Sequence, residues 1–372
     1  MIGRKRPAFD MPLLIATLLL VGLGVFFVFS ASSFMAIEKY GRAFHFMVPQ
    51  VLGAAAGLAL LALLVSVKKP FFLRPGFAAG LLGLTIALLA LCLAMPPVAR
   101  TNRWIVLPGL RFQPSELAKI SLVLFLASFI EGRRDRLNEL RTLAVPGAVL
   151  IVTVVLVLLE PDFGTAVLLA ALAAMVLFIG GVKLRYLAAA GAVAAVLFGV
   201  YLFRADYRVE RLQGFISGQK DVLGSGYQVQ QSRLALGSGG LVGAGPGQSY
   251  QKLNFLPFAH TDFIFAIVGE EFGLLGTFVV LGLYLLVLWR GLKISMAAPS
   301  PACRMVAAGI TLAIVAQALM NMSIVLGLGP AKGAPLPLVS YGRSSLVCTL
   351  AAIGVLLHIS QKKGDAGGTV RI

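Results

Sequence analysis

The sequence predicts an all-α polytopic membrane protein, and three observations carry that prediction. Hydrophobic residues fill 59% of the 372 positions and charged ones only 13%. A soluble chain of this length cannot hide that much apolar surface, so lipid must be the solvent for most of it. The apolar residues also gather into runs of about 20, the length that crosses roughly 30 Å of hydrocarbon. Finally, the basic excess, net +17, is scattered over short connections between the runs. That pattern orients a chain in a membrane and attracts anionic headgroups, and it argues against a nucleic-acid partner.

On the 20-residue template about ten spans are expected, at 11–31, 47–67, 74–95, 114–131, 143–160, 163–182, 185–203, 262–289, 302–326 and 343–361. Arg4, Lys5 and Arg6 precede the first. No small-residue cleavage site follows it, so this helix is expected to stay as an anchor. Pro161 separates the fifth run from the sixth. Ten spans place both termini on one side. The segments on that side hold 18 Lys and Arg, with a cluster at Arg133, Arg134, Arg136 and Arg141. The short loops opposite hold seven: Lys39, Arg42, Arg100, Arg103, Arg111, Lys332 and Arg343. The positive-inside rule therefore puts both ends in the cytoplasm.

Residues 1–363 read as a single transmembrane domain, followed by a short, Gly-rich, disordered cytoplasmic tail at 364–372. One connection is out of proportion: the extracytoplasmic loop 204–261 between helices 7 and 8. Long loops in compact proteins carry function. Within it, Tyr227 to Leu236 reads as a short amphipathic or re-entrant helix, and the Gly-rich run 237–247 as irregular. Cys92, Cys303 and Cys348 lie in or beside apolar runs without metal-ligand spacing and are expected to be buried thiols.

Four stretches could carry chemistry. In 101–120, Gln113-Pro114-Ser115-Glu116 looks like a helix entry, with Gln113 or Ser115 near the N-cap. Lys119 lies three residues beyond Glu116 on the same face. The plain reading is a capped helix with a local ion pair, but an ion pair a turn into the membrane is rarely decorative. Arg103 beside Trp104 fits an interfacial anchor and equally a phosphate ligand. In Glu160-Pro161-Asp162, Asp162 reads as a helix cap, and a functional role requires it to face the same cavity as Asp262.

Leu256 to Gly276 brings Asp262, Glu270 and Glu271 to the membrane edge, where an acid is costly unless paired, hydrated or working. Thr261 or Asp262 could cap the helix, and Glu270 and Glu271 are expected to pair within the bundle or with a partner. The connection 327–342 is rich in Pro and Gly and offers Lys332, Ser340 and Tyr341. A polar loop between spans is tolerated only where it lines a cavity. Together the residues describe an intramembrane enzyme or transporter handling an anionic, lipid-linked substrate.

Several stretches, in order, resemble the SEDS family (shape, elongation, division and sporulation), the polytopic membrane proteins FtsW, RodA and SpoVE. They are FSASS at 29–33, NRW with FQPSELAK at 102–119, EPDFGT at 160–165, GSGYQVQQSRLALGSGGLVGAGPG, LPFAHTDFIFAIVGEE and KGAPLPLVSYGRSS. QKLNFLPFAHTDF and NMSIVLGLGPAKG look closer to the division-type members. The resemblance implies a peptidoglycan glycosyltransferase of the bacterial cytoplasmic (inner) membrane, its active cavity open to the extracytoplasmic side. It would polymerise lipid II, inverting at C1 and releasing undecaprenyl pyrophosphate.

The resemblance makes Asp262 the catalytic general base. Lys119 and Arg103 would meet the pyrophosphate, Glu116 would tune Lys119, and Asp162, Lys332, Ser340 and Tyr341 would belong to the substrate site. A divalent cation, magnesium or manganese, could assist the diphosphate, although no metal cage is evident. A class B penicillin-binding protein, a transpeptidase, is the implied partner, with other division or elongation proteins. A lipid II flippase and a non-catalytic scaffold for the transpeptidase are the competing readings. One departure is Arg343, which follows Ser340-Tyr341-Gly342 where the family commonly has a second glycine.

Overall fold

The computed structural model describes residues 9–68, 70–97, 101–107, 110–203, 225–329 and 333–361. Expectations for Arg4, Lys5, Arg6, Arg100, Lys332, residues 204–224 and the tail 364–372 lie outside these. Eleven helices follow in order among the described residues: α1 Met11–Tyr40, α2 Met47–Ser66, α3 Pro75–Ala94, α4 Pro114–Glu131, α5 Leu140–Leu159, α6 Phe163–Ile179, α7 Leu184–Phe203, α8 Ser225–Ser238, α9 Ile264–Met296, α10 Pro301–Val325 and α11 Arg343–Gln361. Seven of them, α1, α2, α3, α5, α9, α10 and α11, are long and apolar enough to cross a bilayer. Each of the ten expected runs is a helix, and α1 and α9 continue past their expected ends to Tyr40 and Met296. A 20-residue template truncates such helices; 30 residues span about 45 Å.

Strands were not expected, yet β1 (Ile105–Leu107) and β2 (Leu110–Phe112) form an antiparallel hairpin ahead of α4, with Ile105 opposite Phe112. Three-residue strands leave too short a pattern to read from sequence.

The core is a buried centre of α4, α10 and α11, whose side chains are almost all enclosed. α2 packs along α11, α9 along α10, α3 along α4 and α1 along α9. α5 and α7 show much of their apolar surface to the outside, as a lipid-facing helix should. At one end, Asp10 caps α1 through Leu13 N (3.2 Å) and accepts from Arg290 Nε of α9 (2.9 Å), while its own N–H donates to Ser360 Oγ of α11 (3.1 Å). The first and last helices therefore meet at one end of the bundle.

α9 is two helices joined at Gly273, whose φ of 62° and ψ of −158° break the helix. The hydrogen bonds lost there are replaced by a loop. Leu274 N and Leu275 N donate to Gly240 O (2.9 Å) and Leu241 O (3.2 Å). The carbonyls they would reach in a continuous helix, those of Glu270 and Glu271, accept from Ala244 N (2.9 Å) and Gly245 N (3.0 Å). The loop comes so close that a Cβ on Gly243, itself at φ 92°, would lie 2.2 Å from Glu271 O. The expected irregular Gly-rich run is thus an insert that splits α9. Irregular backbone at this depth survives because its polar groups are satisfied by protein.

Candidate active site

The end of the bundle opposite Asp10 gathers the polar residues. It is formed by the start of α2, the hairpin, the start of α4, the α5–α6 turn, the start of α9, the end of α10 and residues 333–343.

Gln113 is the N-cap of α4 but makes no side-chain capping bond; its Nε2 donates to Ser115 Oγ at 3.0 Å and toward Asp162 at 3.5 Å. Inside the first turn Glu116 and Lys119 form a buried ion pair, Nζ to Oε2 2.8 Å. Ser345 Oγ of α11 donates to the same Glu116 oxygen at 2.8 Å, and Lys119 also donates to Gln317 Oε1 of α10. The adjoining cavity, lined by Ile120, Ile314, Pro337 and Cys348, holds only about 20 Å³, room for about one water. Lys119 was expected at a pyrophosphate; in this structure its ammonium is committed to Glu116 and Gln317.

Asp162 caps α6, accepting from Thr165 N at 3.1 Å and Thr165 Oγ1 at 2.9 Å. It also faces Arg103 NH1 at 3.8 Å. Arg103 is 26% exposed, and its Nε is buried without a hydrogen-bond partner. Glu160, fully buried in the same turn, has neither carboxylate oxygen hydrogen-bonded.

Asp262 does not cap α9. Phe263 is the N-cap and no side chain bonds there. α9 begins at Ile264, so Asp262 sits in the preceding turn, outside the span. No described side chain is shown hydrogen-bonding its carboxylate, which lies against Gly333, where a Cβ would come within 2.8 Å of Oδ2. Burial pushes its pKa up to about 6; Arg103 lowers it and Asp162 raises it. Arg103, Asp162 and Asp262 therefore share one electrostatic neighbourhood. By surface exposure the residue Asp262 as a whole is half-buried, while its carboxyl is strongly desolvated.

The chain around Asp262 is held by backbone contacts to the 333–342 connection. Ser340 Oγ donates to Thr261 O (2.5 Å) and accepts from Leu336 N (2.8 Å). Tyr341 N donates to His260 O (3.0 Å), and its ring packs with those of Phe46 and His260. Burial, followed by the charge of Lys39, pushes His260 down to about 4, so it is neutral near pH 7. Gln50 of α2 closes the ring, donating to Ser340 O (3.1 Å) and accepting from Gly342 N (3.3 Å). Ser340 thus holds backbone, with its one hydroxyl proton committed to Thr261 O. Arg343 opens α11 with its stem against Gly53, where a Cβ would approach its Cγ to 3.3 Å.

Glu270 and Glu271 pair within the chain. Glu270 accepts from Tyr250 N (2.9 Å), Gln251 N (3.4 Å) and Ser249 Oγ. Glu271 pairs with Lys252 (3.2 Å) and accepts from Ser30 Oγ of α1 (2.5 Å). Both anchor residues 249–252, the segment that follows the insert. Sequence reasoning passed over Gln50, Gln317 and Asn321. The signal was present in the last two: amides four residues apart in an apolar run, hence on one helix face.

The description "Cell cycle protein" covers the FtsW, RodA and SpoVE family, and its pattern matches residues 11–365. A probable peptidoglycan glycosyltransferase FtsW of Trichlorobacter lovleyi is 38% identical over 357 residues, covering 95% of this chain and 93% of the relative. Another so named, from Marinobacter nauticus, is 41% identical over 375 residues, with 98% and 92% covered. A solved structure described as a peptidoglycan synthase complex that coordinates polymerization and crosslinking superposes with a TM-score of 0.79 at 30% identity, over 96% of this chain and 99% of that one. The crystal structure of the Thermus thermophilus rod shape determining protein RodA gives 0.70 at 29%, over 96% and 98%. By the extent of these matches, the chain belongs to the FtsW/RodA/SpoVE family of cell cycle proteins.

Proposed function

We propose that this protein is a peptidoglycan glycosyltransferase that polymerises lipid II, with Asp262 as the general base. The names of its relatives support the activity. The observation that carries the catalytic assignment is the state of Asp262: no capping role, no hydrogen bond to a described side chain, and a pKa near 6. A carboxylate with that pKa is largely ionised at neutral pH and basic enough to take a proton in the transition state.

In the reaction, Asp262 accepts the proton of the acceptor sugar's 4-hydroxyl as its oxygen attacks C1 of the donor. The C1–O bond to undecaprenyl pyrophosphate breaks on the opposite face, so configuration inverts and the electron pair leaves on the pyrophosphate. Arg103, partly exposed and with an unpartnered Nε, is the cation suited to that developing charge. Asp162 orients Arg103; Ser340 and Tyr341 position the Asp262 turn. The Glu116–Lys119 pair fixes α4 against α10 and α11, and Lys332 belongs to the proposal by resemblance alone. Magnesium or manganese would have to arrive with the diphosphate: no three His, Cys, Asp or Glu side chains among the described residues come together to hold one. Asp162 and Asp262 would be the carboxylates nearest a cation brought in on the diphosphate, and no step above is routed through one.

The proposal places ten spans in the bacterial inner membrane with both termini cytoplasmic and the cavity outside. Its partner would be a class B penicillin-binding protein, among other division or elongation proteins, a reading supported by the neighbour that joins polymerization to crosslinking. The test is polymerisation of lipid II by purified protein in liposomes, with and without the transpeptidase. Asp262→Ala is expected to abolish polymer at unchanged protein level. Retained polymer would remove Asp262 from the chemistry, and translocation of labelled lipid II without polymer would favour a flippase.

A further inference from the structure

Gln317 and Asn321 stand one turn apart on α10, both buried, in a helix otherwise dominated by apolar side chains. The Nδ2 group of Asn321 donates to two main-chain carbonyls, Asp262 O at 2.7 Å and Ala334 O at 2.6 Å. Two acceptors on one side leave no freedom in the amide's orientation, because only the NH2 end can donate. Its Oδ1 is buried with no partner. An unmet buried carbonyl carries a desolvation cost, so the two donated bonds hold the side chain there against a penalty.

The two carbonyls belong to segments that meet at the candidate base. Ala334 follows Gly333, the residue against which the Asp262 carboxylate rests. One amide therefore ties the main chain of Asp262 to the main chain of the surface its side chain touches. Gln317 repeats the device a turn earlier, donating from Nε2 to Pro335 O at 3.1 Å while accepting from Lys119. α10 thus presents two amides that clamp residues 334 and 335, and only Asn321 also reaches Asp262.

We propose that Asn321 is a positioning residue: by bridging Asp262 O and Ala334 O it fixes the Asp262 carboxylate over Gly333 in the geometry for proton abstraction. This rests on Asp262 being the general base. Asn321 touches main chain only, so its effect on the reaction runs through Asp262. A displacement of about 1 Å of a catalytic group costs on the order of 100-fold in rate, which sets the size of effect to expect.

The experiment measures lipid II polymerisation by the full chain in liposomes as a function of substrate concentration and pH, for wild type, Asp262→Ala, Asn321→Ala, Asn321→Asp and Ser323→Ala. Asn321→Asp keeps the shape and removes the amide donors. Ser323 is an exposed hydroxyl on the same helix, bonded to Leu319 O, and its variant should match wild type. Both Asn321 variants are expected to lower kcat by 10- to 100-fold with KM within about twofold. For Asn321→Ala the acid limb of kcat should move down from about 6 toward the ordinary carboxylate range, because a released turn hydrates Asp262 more fully; Asn321→Asp, which adds a like charge nearby, is read by its kcat alone. A merely structural role would lower the yield of folded protein and leave kcat per folded molecule and the acid limb where they were; that result overturns the proposal. So does failure of both variants to fold, which would make Asn321 a folding residue. If Asp262→Ala keeps polymerising, the general-base reading falls and the proposal for Asn321 falls with it, whereas loss of polymer in Asp262→Ala with unchanged kcat in both Asn321 variants overturns the proposal for Asn321 alone.

Discussion

Removing one partner of the Glu116–Lys119 pair should cost far more than removing both. Nζ and Oε2 are 2.8 Å apart, and both side chains are less than a tenth exposed. At an effective dielectric near 20, unit charges at that distance attract by roughly 6 kcal/mol. Desolvating the two ions offsets most of that. Lys119→Met leaves the Glu116 carboxylate buried with Ser345 Oγ as its remaining donor and Gln317 Oε1 with none from Lys119. Breaking a buried pair in this way costs about 3–5 kcal/mol, a Tm fall on the order of 5–10 °C. Glu116→Gln, which leaves the ammonium with Gln317, should cost a similar amount. The double variant removes both charges and keeps an amide beside Ser345, so it should lie within about 1 kcal/mol of wild type. The measurement is thermal unfolding in one detergent at one pH, followed by the fluorescence of Trp104 and Trp289. A loss below about 1 kcal/mol for Lys119→Met would mean that water already solvates the pair, and the closed network around α4 would be refuted. Polymerisation by the double variant then separates the roles. A folded, inactive double variant assigns the Lys119 charge to chemistry; wild-type rate makes the pair structural.

Polymerisation should lose rate on acidification, with kcat falling about tenfold per pH unit below about 6, since protonated Asp262 is no base. The stability effect has the opposite sense. The folded pKa is raised from 3.8 to about 6, so the stabilisation from this group is complete below about pH 4 and lost as pH rises through 6. Asp262→Asn should therefore abolish polymer and raise Tm at pH 7.5; an unchanged Tm across pH 4–8 for the wild-type and variant pair would contradict the desolvated carboxyl. Gly243→Ala should destabilise by about 1–3 kcal/mol, from a left-handed φ of 92° and a Cβ 2.2 Å from Glu271 O. Gly147→Ala on α5, where nothing lies within 4 Å, should be neutral or gain up to about 1 kcal/mol, and equal melting of the two variants would argue against the inserted loop.

The lipid-crossing helices were legible because hydrocarbon thickness imposes a length on apolar runs, and α2 and α11 begin and end within a residue of their expected limits. The break in α9 was not. Gly273 sits in an apolar stretch where glycine is common in membrane helices, and the donors that replace its lost bonds come from some 30 residues earlier in the chain. Glu270 and Glu271 were recognised as paired acids, but their partners, Ser249, Lys252 and Ser30, follow no local periodicity. Capping was a reading the sequence offered for Asp162 and, with Thr261, for Asp262. The structure separates them, since Asp162 caps α6 while Asp262 caps nothing. The spacing of Gln317 and Asn321 marks one polar face on an apolar helix, but the role of Asn321 has meaning only once its two carbonyl acceptors, 59 and 13 residues away, are known.

The short helix from Ile264 to Phe272 is held at both ends by segments other than the span it leads into. At its inner end the loop 240–245 takes over the hydrogen bonds that would continue it into the rest of α9. At its outer end Asn321, Ser340 and Tyr341 hold the carbonyls of Asp262, Thr261 and His260. A continuous α9 would fix Asp262 to the axis of the long span that runs on to Met296. The break at Gly273 removes that dependence and gives the position of the carboxylate to the buried α10 and to residues 333–342. That accounts for two features that are costly in isolation, a helix split at membrane depth and an amide with an unmet oxygen. Both keep Asp262, the base of the proposed reaction, in register with residues 333–342.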